Sequence, residues 1–123
     1  MKFMILIYGS PKAWDGLGEA EVAELADAHA RVHRELTPTG ELVAASELDL
    51  DSARVVRAQG GVATVTHDAF TEGREFISGY YIVECHDVDR ATEIAGWFAE
   101  TKFAPVEVRR LGSRSSWTDE PAS

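Results

Sequence analysis

The chain has 123 residues, a formal net charge of -9, 45% hydrophobic and 27% charged residues, and a single cysteine. That length is one domain able to bury roughly two-thirds of its unfolded surface. The acidic balance argues against a nucleic-acid partner, which needs clustered Lys and Arg to displace counterions; Cys85 alone excludes an internal disulfide, and no run approaches the ~20 apolar residues of a membrane span.

Lys2–Tyr8 is a near-continuous apolar run rich in β-branched and aromatic residues, which reads as a central strand covered on both faces. It is too short for a signal peptide and no small-residue cleavage site follows, so the expected location is the cytoplasm. Gly9-Ser10-Pro11 breaks the run, and Lys12–Gly18 reads as a loop carrying Trp14. Glu19–Leu36 is a helix: Val22, Leu25, His29, Val32 and Leu36 recur at three- and four-residue steps as one apolar stripe, and Thr37-Pro38-Thr39-Gly40 stops it. Glu41–Ser46 is a short strand. Ala53–Ala58 and Val62–Thr66 flank Gln59-Gly60-Gly61 as a hairpin. Thr71–Glu75 is a polar loop or single turn. Phe76–Glu84 is a second apolar strand, with Gly79 marking a bulge or a close backbone approach. Asp87 caps a second helix, Val88–Glu100, with Ala91, Ile94, Ala95 and Phe98 buried. Val106–Leu111 is the last strand. Residues 1–111 form the domain, and 112–123 form a polar tail expected to be mobile.

This order gives two β-α-β halves around an antiparallel middle, an α+β, ferredoxin-like fold with helices on one sheet face and Lys2–Tyr8 beside Phe76–Glu84 at the centre. The other sheet face has no helix over it. A second copy of the chain is the simplest cover, so a homodimer is expected.

The densest polar stretch is His67–Glu75. His67 and Asp68 follow a strand end, where ligands are commonly met, although Asp68 bonding nearby amides would be ordinary turn chemistry. Glu72, Arg74 and Glu75 either hold a small polar ligand or form a surface or dimer network. Cys85-His86-Asp87 is not expected to bind metal, because three consecutive side chains rarely converge and Asp87 already serves as a cap. Neither a phosphate loop, a dinucleotide fingerprint nor a nucleophile elbow occurs, and no cofactor is expected. Tyr8, Tyr80 and Tyr81 lie on the central strands. Tyr80 and Tyr81 face opposite sides, as packing residues or as a pocket wall with a hydroxyl handle.

The opening MKFMILIYG, the segment VTHDAFTEGREFISGYYIVE, the pattern HDVDRATEIAGWF and the ending VEVRRL together resemble the DGPF branch of the YCII-related family. His67-Asp68-Ala69-Phe70 stands where Asp-Gly-Pro-Phe is usual. Glu72 and Glu75 match the signature, Arg74 replaces a lysine, and Ser78-Gly79-Tyr80-Tyr81 matches the strand that follows. The resemblance implies a ferredoxin-like fold paired into a dimeric α+β barrel. It implies one of two roles. One is a cofactor-independent lyase, isomerase or dehalogenating enzyme of the His–carboxylate type, acting on a small molecule. The other is a non-enzymatic binding or regulatory module of the sigma-factor-associated type. On the enzymatic reading, His29, eleven residues before Gly40, matches the family's helical histidine. His29 is then the general base and Asp68 its orienting carboxylate, with Tyr8, His67, Phe70, Arg74, Glu75 and Tyr80 lining the pocket. The alternative for His29 is a partly buried histidine bonded to a backbone carbonyl.

Overall fold

A computed structural model describes residues 1–67 and 75–112. Six strands and three helices follow in chain order: β1 (Lys2–Gly9), α1 (Pro11–Asp15), α2 (Glu19–Leu36), β2 (Leu42–Glu47), β3 (Val55–Gln59), β4 (Val62–Thr66), β5 (Phe76–Glu84), α3 (Val88–Ala95) and β6 (Val106–Arg110). A 3-10 turn, Ala99–Lys102, lies between α3 and β6. The main sheet has the order β2-β5-β1-β6 with every neighbouring pair antiparallel, and β3–β4 stand apart as a two-stranded hairpin. This is the ferredoxin-like α+β arrangement, with the two most apolar runs at its centre.

Strand alternation sorts the side chains. In the β1–β5 register Phe3 opposes Val83 and Ile5 opposes Tyr81, whereas Met4 opposes Ile82 and Leu6 opposes Tyr80. The first set is buried with Val32 and Leu36 of α2 and Ala91, Ile94 and Ala95 of α3. Each fully buried Phe, Ile, Leu or Val contributes about 1.5–3 kcal/mol relative to exposure. The second set lies on the face without helices and is only partly buried. Between Ile7 and Tyr8 the register shifts, and the Ser78 hydroxyl donates to the Ile7 carbonyl at 3.0 Å. This is a bulge next to Gly79, where a Cβ would stand 3.0 Å from the Ser46 carbonyl oxygen.

Three elements depart from the sequence reading. The segment after β1 is helical, not a loop. Ser10 caps α1 by accepting from the Ala13 amide at 3.1 Å, and Pro11 occupies the first helical position, where its missing N–H costs nothing. The helix α3 stops at Ala95 and does not continue to Glu100. Gly96 takes the C-cap, its amide bonding back to the Thr92 carbonyl at 3.1 Å, and the chain resumes as the 3-10 turn. Along α2, burial is confined to the C-terminal half: Val32 and Leu36 are buried, but Val22 is 54% exposed.

The β3–β4 hairpin turns at Gly60 and Gly61, whose φ values of 57° and 81° favour glycine. It presents Val56 opposite Val65 as an exposed apolar pair. Among the described residues, no helix is long and apolar enough to cross a membrane.

Candidate active site

The helices leave part of their sheet face uncovered near the ends of β2 and β5, and a cleft of about 580 Å³ opens there. Its floor is Ile7, Gly79 and Tyr81, and His29 and His33 of α2 form one wall. Trp14 closes the end nearest α1. The indole lies so close to Gly9 that a Cβ at that position would stand 2.4 Å from Nε1, so the absence of a side chain at Gly9 lets the ring seat. Phe76, Leu48 and Leu50 also line the cleft.

His29 is on the apolar stripe of α2 and is held at both ring nitrogens. Nε2 is 2.6 Å from Glu100 Oε2, and Nδ1 is 2.7 Å from the Tyr81 hydroxyl. A carboxylate can only accept, so Nε2 carries a proton and donates to Glu100. Burial pushes the Tyr81 phenol up to about 12, and the charge of Glu100 adds to the effect. Tyr81 therefore stays protonated at neutral pH and donates to Nδ1 of the neutral ring. The tautomer is thus fixed by chemistry: Glu100 orients the imidazole and its Nδ1 lone pair faces Tyr81. Phe98 packs against both rings, with centroids 5.0 Å from His29 and 4.8 Å from Tyr81. The His29 side chain keeps 31% exposure, whereas Glu100 keeps 7%. Glu100 is shut in and His29 reaches the cleft. His33, one turn on, sets its ring edgewise on Tyr81 at 5.6 Å.

Glu100 has one further property. Its second oxygen, Oε1, is buried and has no hydrogen-bond partner among the described residues. A buried acceptor left unmade costs about 1–3 kcal/mol.

The residues singled out from sequence fall into three groups. His29 borders the cleft, and Tyr80 is also among its lining residues, although strand alternation puts the Tyr80 side chain on the helix-free face. Tyr8, expected to line the pocket, is placed on the opposite sheet face. There its hydroxyl donates to Glu107 Oε1 at 2.9 Å, a bond that raises the phenol above its ordinary range with help from partial burial. Strand alternation decides this: Tyr8 opposes Ile77 across the bulge, out of phase with Ile7 and Gly9. His67 and Glu75 are exposed and are not among the described residues lining the cleft. Asp68, Phe70 and Arg74, like Glu72 of the same loop, lie outside the described residues, as does the tail from residue 113. Among the described residues, the carboxylate that meets His29 is Glu100.

Glu100 and Tyr81 were not assigned to the site from sequence. A continued helix would have left Glu100 as a solvated C-terminal residue. The available signal was Gly96, a helix stop placed just before Phe98-Ala99, which are buried together with Glu100. For Tyr81 the signal was alternation with Val83. Among the described residues, no group of three or more His, Cys, Asp or Glu could hold a metal ion. Cys85 is buried, and burial, then the charge of Glu41, raises its thiol.

The fold and the cleft define a ferredoxin-like α+β protein with a histidine held between a tyrosine and a buried carboxylate. More particularly, the chain belongs to the YCII-related family: the model of the YCII-related domain matches residues 1–111. No curated protein matches the sequence. Among solved structures it is similar to a 5-chloro-2-hydroxyhydroquinone dehydrochlorinase from Burkholderia phenoliruptrix, solved in complex with 2,5-dihydroxybenzoquinone. Identity is 17%, with 91% of this chain and 94% of that chain covered and a TM-score of 0.46.

Proposed function

We propose that the protein is a cofactor-independent small-molecule enzyme of the lyase or isomerase type, with His29 as general base. The observation that supports this best is the suspension of His29 between Glu100 and Tyr81 at 2.6 and 2.7 Å on the wall of a cleft. In the resting state the Tyr81 hydroxyl fills the acceptor site on Nδ1. A substrate carrying an acidic C–H or O–H replaces it, and Nδ1 takes that proton. Glu100 stabilises the imidazolium through Nε2–H, and positioned acid–base groups of this kind contribute roughly 10²–10⁴-fold to rate. The freed Tyr81 hydroxyl donates to an oxygen on which negative charge develops. The electron pair left on the substrate either expels a leaving group or migrates before reprotonation, giving elimination or isomerisation.

The test is a set of activated carbon acids and β-halo carbonyl compounds incubated in D2O and followed by NMR. Deuterium uptake or elimination should occur with the wild type and fall by about 10²–10⁴-fold in His29→Asn. Equal turnover by the variant would overturn the assignment.

We also propose that a second copy of the chain covers the helix-free sheet face, forming a dimeric α+β barrel. Support comes from the apolar strip of Met4, Leu6, Tyr80 and Ile82 along β1 and β5, which is only partly buried and over which no described helix lies. Light scattering should return twice the monomer mass at micromolar concentration; a monomer would contradict this. A second reading, a binding module, is favoured by the exposed Val56 and Val65 on the hairpin, at 62% and 51% exposure. It would be preferred if the hairpin, and not the cleft, shows ligand-dependent NMR shifts.

A further inference from the structure

The charge and shape of the cleft restrict what it can hold. Among the described residues lining it, none is Lys or Arg, whereas Glu47 and Glu100 are both present. The chain as a whole carries -9. A cleft of one sign between low-dielectric walls focuses its field and concentrates ligands of the opposite sign. A carboxylate or phosphate entering here would meet no described cation and would be desolvated beside two acids.

A second feature, the placement of Glu100 itself, points the same way. Glu100 is 5% exposed, belongs to the wall of the cleft, and has Oε1 without a partner. His29 satisfies the other oxygen only. A buried carboxylate oxygen of this kind calls for a donor, and a charged donor makes the strongest bond. The remaining surface is aromatic and aliphatic. Trp14 lies close against Gly9, and Phe76, Leu48 and Leu50 line the same cleft. Such walls take rings, and tryptophan faces in particular attract cations.

We propose that the cleft binds ring-bearing amines, the nitrogen donating to Oε1 of Glu100 and the ring packing against Trp14. This deepens the enzymatic reading and rests on the same cleft. It makes selectivity a matter of charge: the amine is attracted by Glu47 and Glu100, and the corresponding acid is repelled.

Three probes of matched shape test it: benzylamine, benzyl alcohol and benzoate, titrated at neutral pH while the indole N–H of Trp14 is followed by NMR. Benzylamine should bind at least about tenfold more tightly than benzoate, with benzyl alcohol between them, and the preference should shrink as salt is added. Glu100→Gln should weaken benzylamine about tenfold and leave benzyl alcohol nearly unchanged. Glu47→Gln, an exposed position that leaves the core untouched, should weaken it about twofold to threefold through the field alone. Benzoate binding as tightly as benzylamine overturns the proposal, as does no response of Trp14 to benzylamine at millimolar concentration, or amine binding indifferent to both substitutions. Loss of charge selectivity with His29-dependent deuterium exchange intact would remove the amine class and leave the catalytic reading standing. Loss of the exchange with amine selectivity intact would do the reverse.

Discussion

Two tyrosines on the paired central strands end on opposite faces of one sheet and meet different fates. Tyr81 lies on the helix-covered face, 5% exposed, its hydroxyl on His29. Tyr8 lies on the helix-free face, its hydroxyl on Glu107. Both phenols are raised, but for different first causes: burial for Tyr81, the hydrogen bond to an acid for Tyr8. A tyrosine bonded to a carboxylate alone is a structural clasp. A tyrosine bonded to a histidine that is itself anchored by a buried carboxylate stands in the arrangement that the proposed proton transfer uses. The same residue type on the same β-ribbon is placed in one role or the other by the phase of strand alternation.

The contrast between the faces can be broken by truncation. Phe98→Ala, under the site, should cost about 3–5 kcal/mol in chemical denaturation, since it removes a fully buried ring touching both His29 and Tyr81. Met4→Ala on the other face should cost under about 1.5 kcal/mol in the isolated chain, and more only where a second copy covers it, which concentration-dependent unfolding would reveal. Equal, concentration-independent losses would erase the distinction.

A smaller effect sharpens the account of the cleft. In Gly9→Ala the new methyl runs into the Trp14 ring. Overpacking of this kind costs about 1–3 kcal/mol. Because Trp14 walls the cleft, benzylamine affinity should fall as well. Unchanged affinity with a displaced indole signal would take Trp14 out of the binding surface.

The alkaline limb of the stability curve separates the two phenols. A phenol raised in the folded state contributes stability that is complete below its unfolded value of 10.0 and is lost as pH climbs toward about 12. Stability should therefore fall between those values with a slope of up to ~1.4 kcal/mol per pH unit from Tyr81. Tyr81→Phe should flatten most of that slope, and Tyr8→Phe less of it.

The smallest effect lies in acid. Arg90 chelates Glu41 through Nε and Nη2 at 2.9 and 3.0 Å, tying α3 to the start of β2, and holds that carboxyl below its usual range. A lowered acid contributes stability present above its unfolded value of 4.5 and lost as pH falls through the folded value. Glu41→Gln should reduce the acid-induced loss of stability without moving the alkaline limb.

Much of this architecture was legible in residue order. The limits of α2, β4 and β5 follow from apolar periodicity, and the central pairing of β1 with β5 follows from their continuous apolar character. His29 could be singled out because it sits on the apolar stripe of the helix and matches the helical histidine that the family resemblance implies. Its partners could not be. Glu100 meets His29 only because Gly96 ends α3 early and a 3-10 turn swings the acid inward, a local break whose consequence depends on tertiary placement. Tyr81 and Tyr80 were known to face apart, but which of them faced the helices depended on register, and the Ser78 bulge shifts that register. Trp14 was placed in a loop because five residues are too few for periodicity to register, although Ser10-Pro11 carries the cap.

The central claim is that Glu100 and Tyr81 hold His29 in one tautomer with Nδ1 as the available base. The most direct measurement is 15N NMR of the His29 ring at a pH where it is neutral, in the wild type and in Glu100→Gln. The account predicts a protonated, pyrrole-like Nε2 and a pyridine-like Nδ1 in the wild type, with that preference weakened in the variant. A ring protonated at Nδ1, or averaged signals indifferent to the substitution, would contradict it.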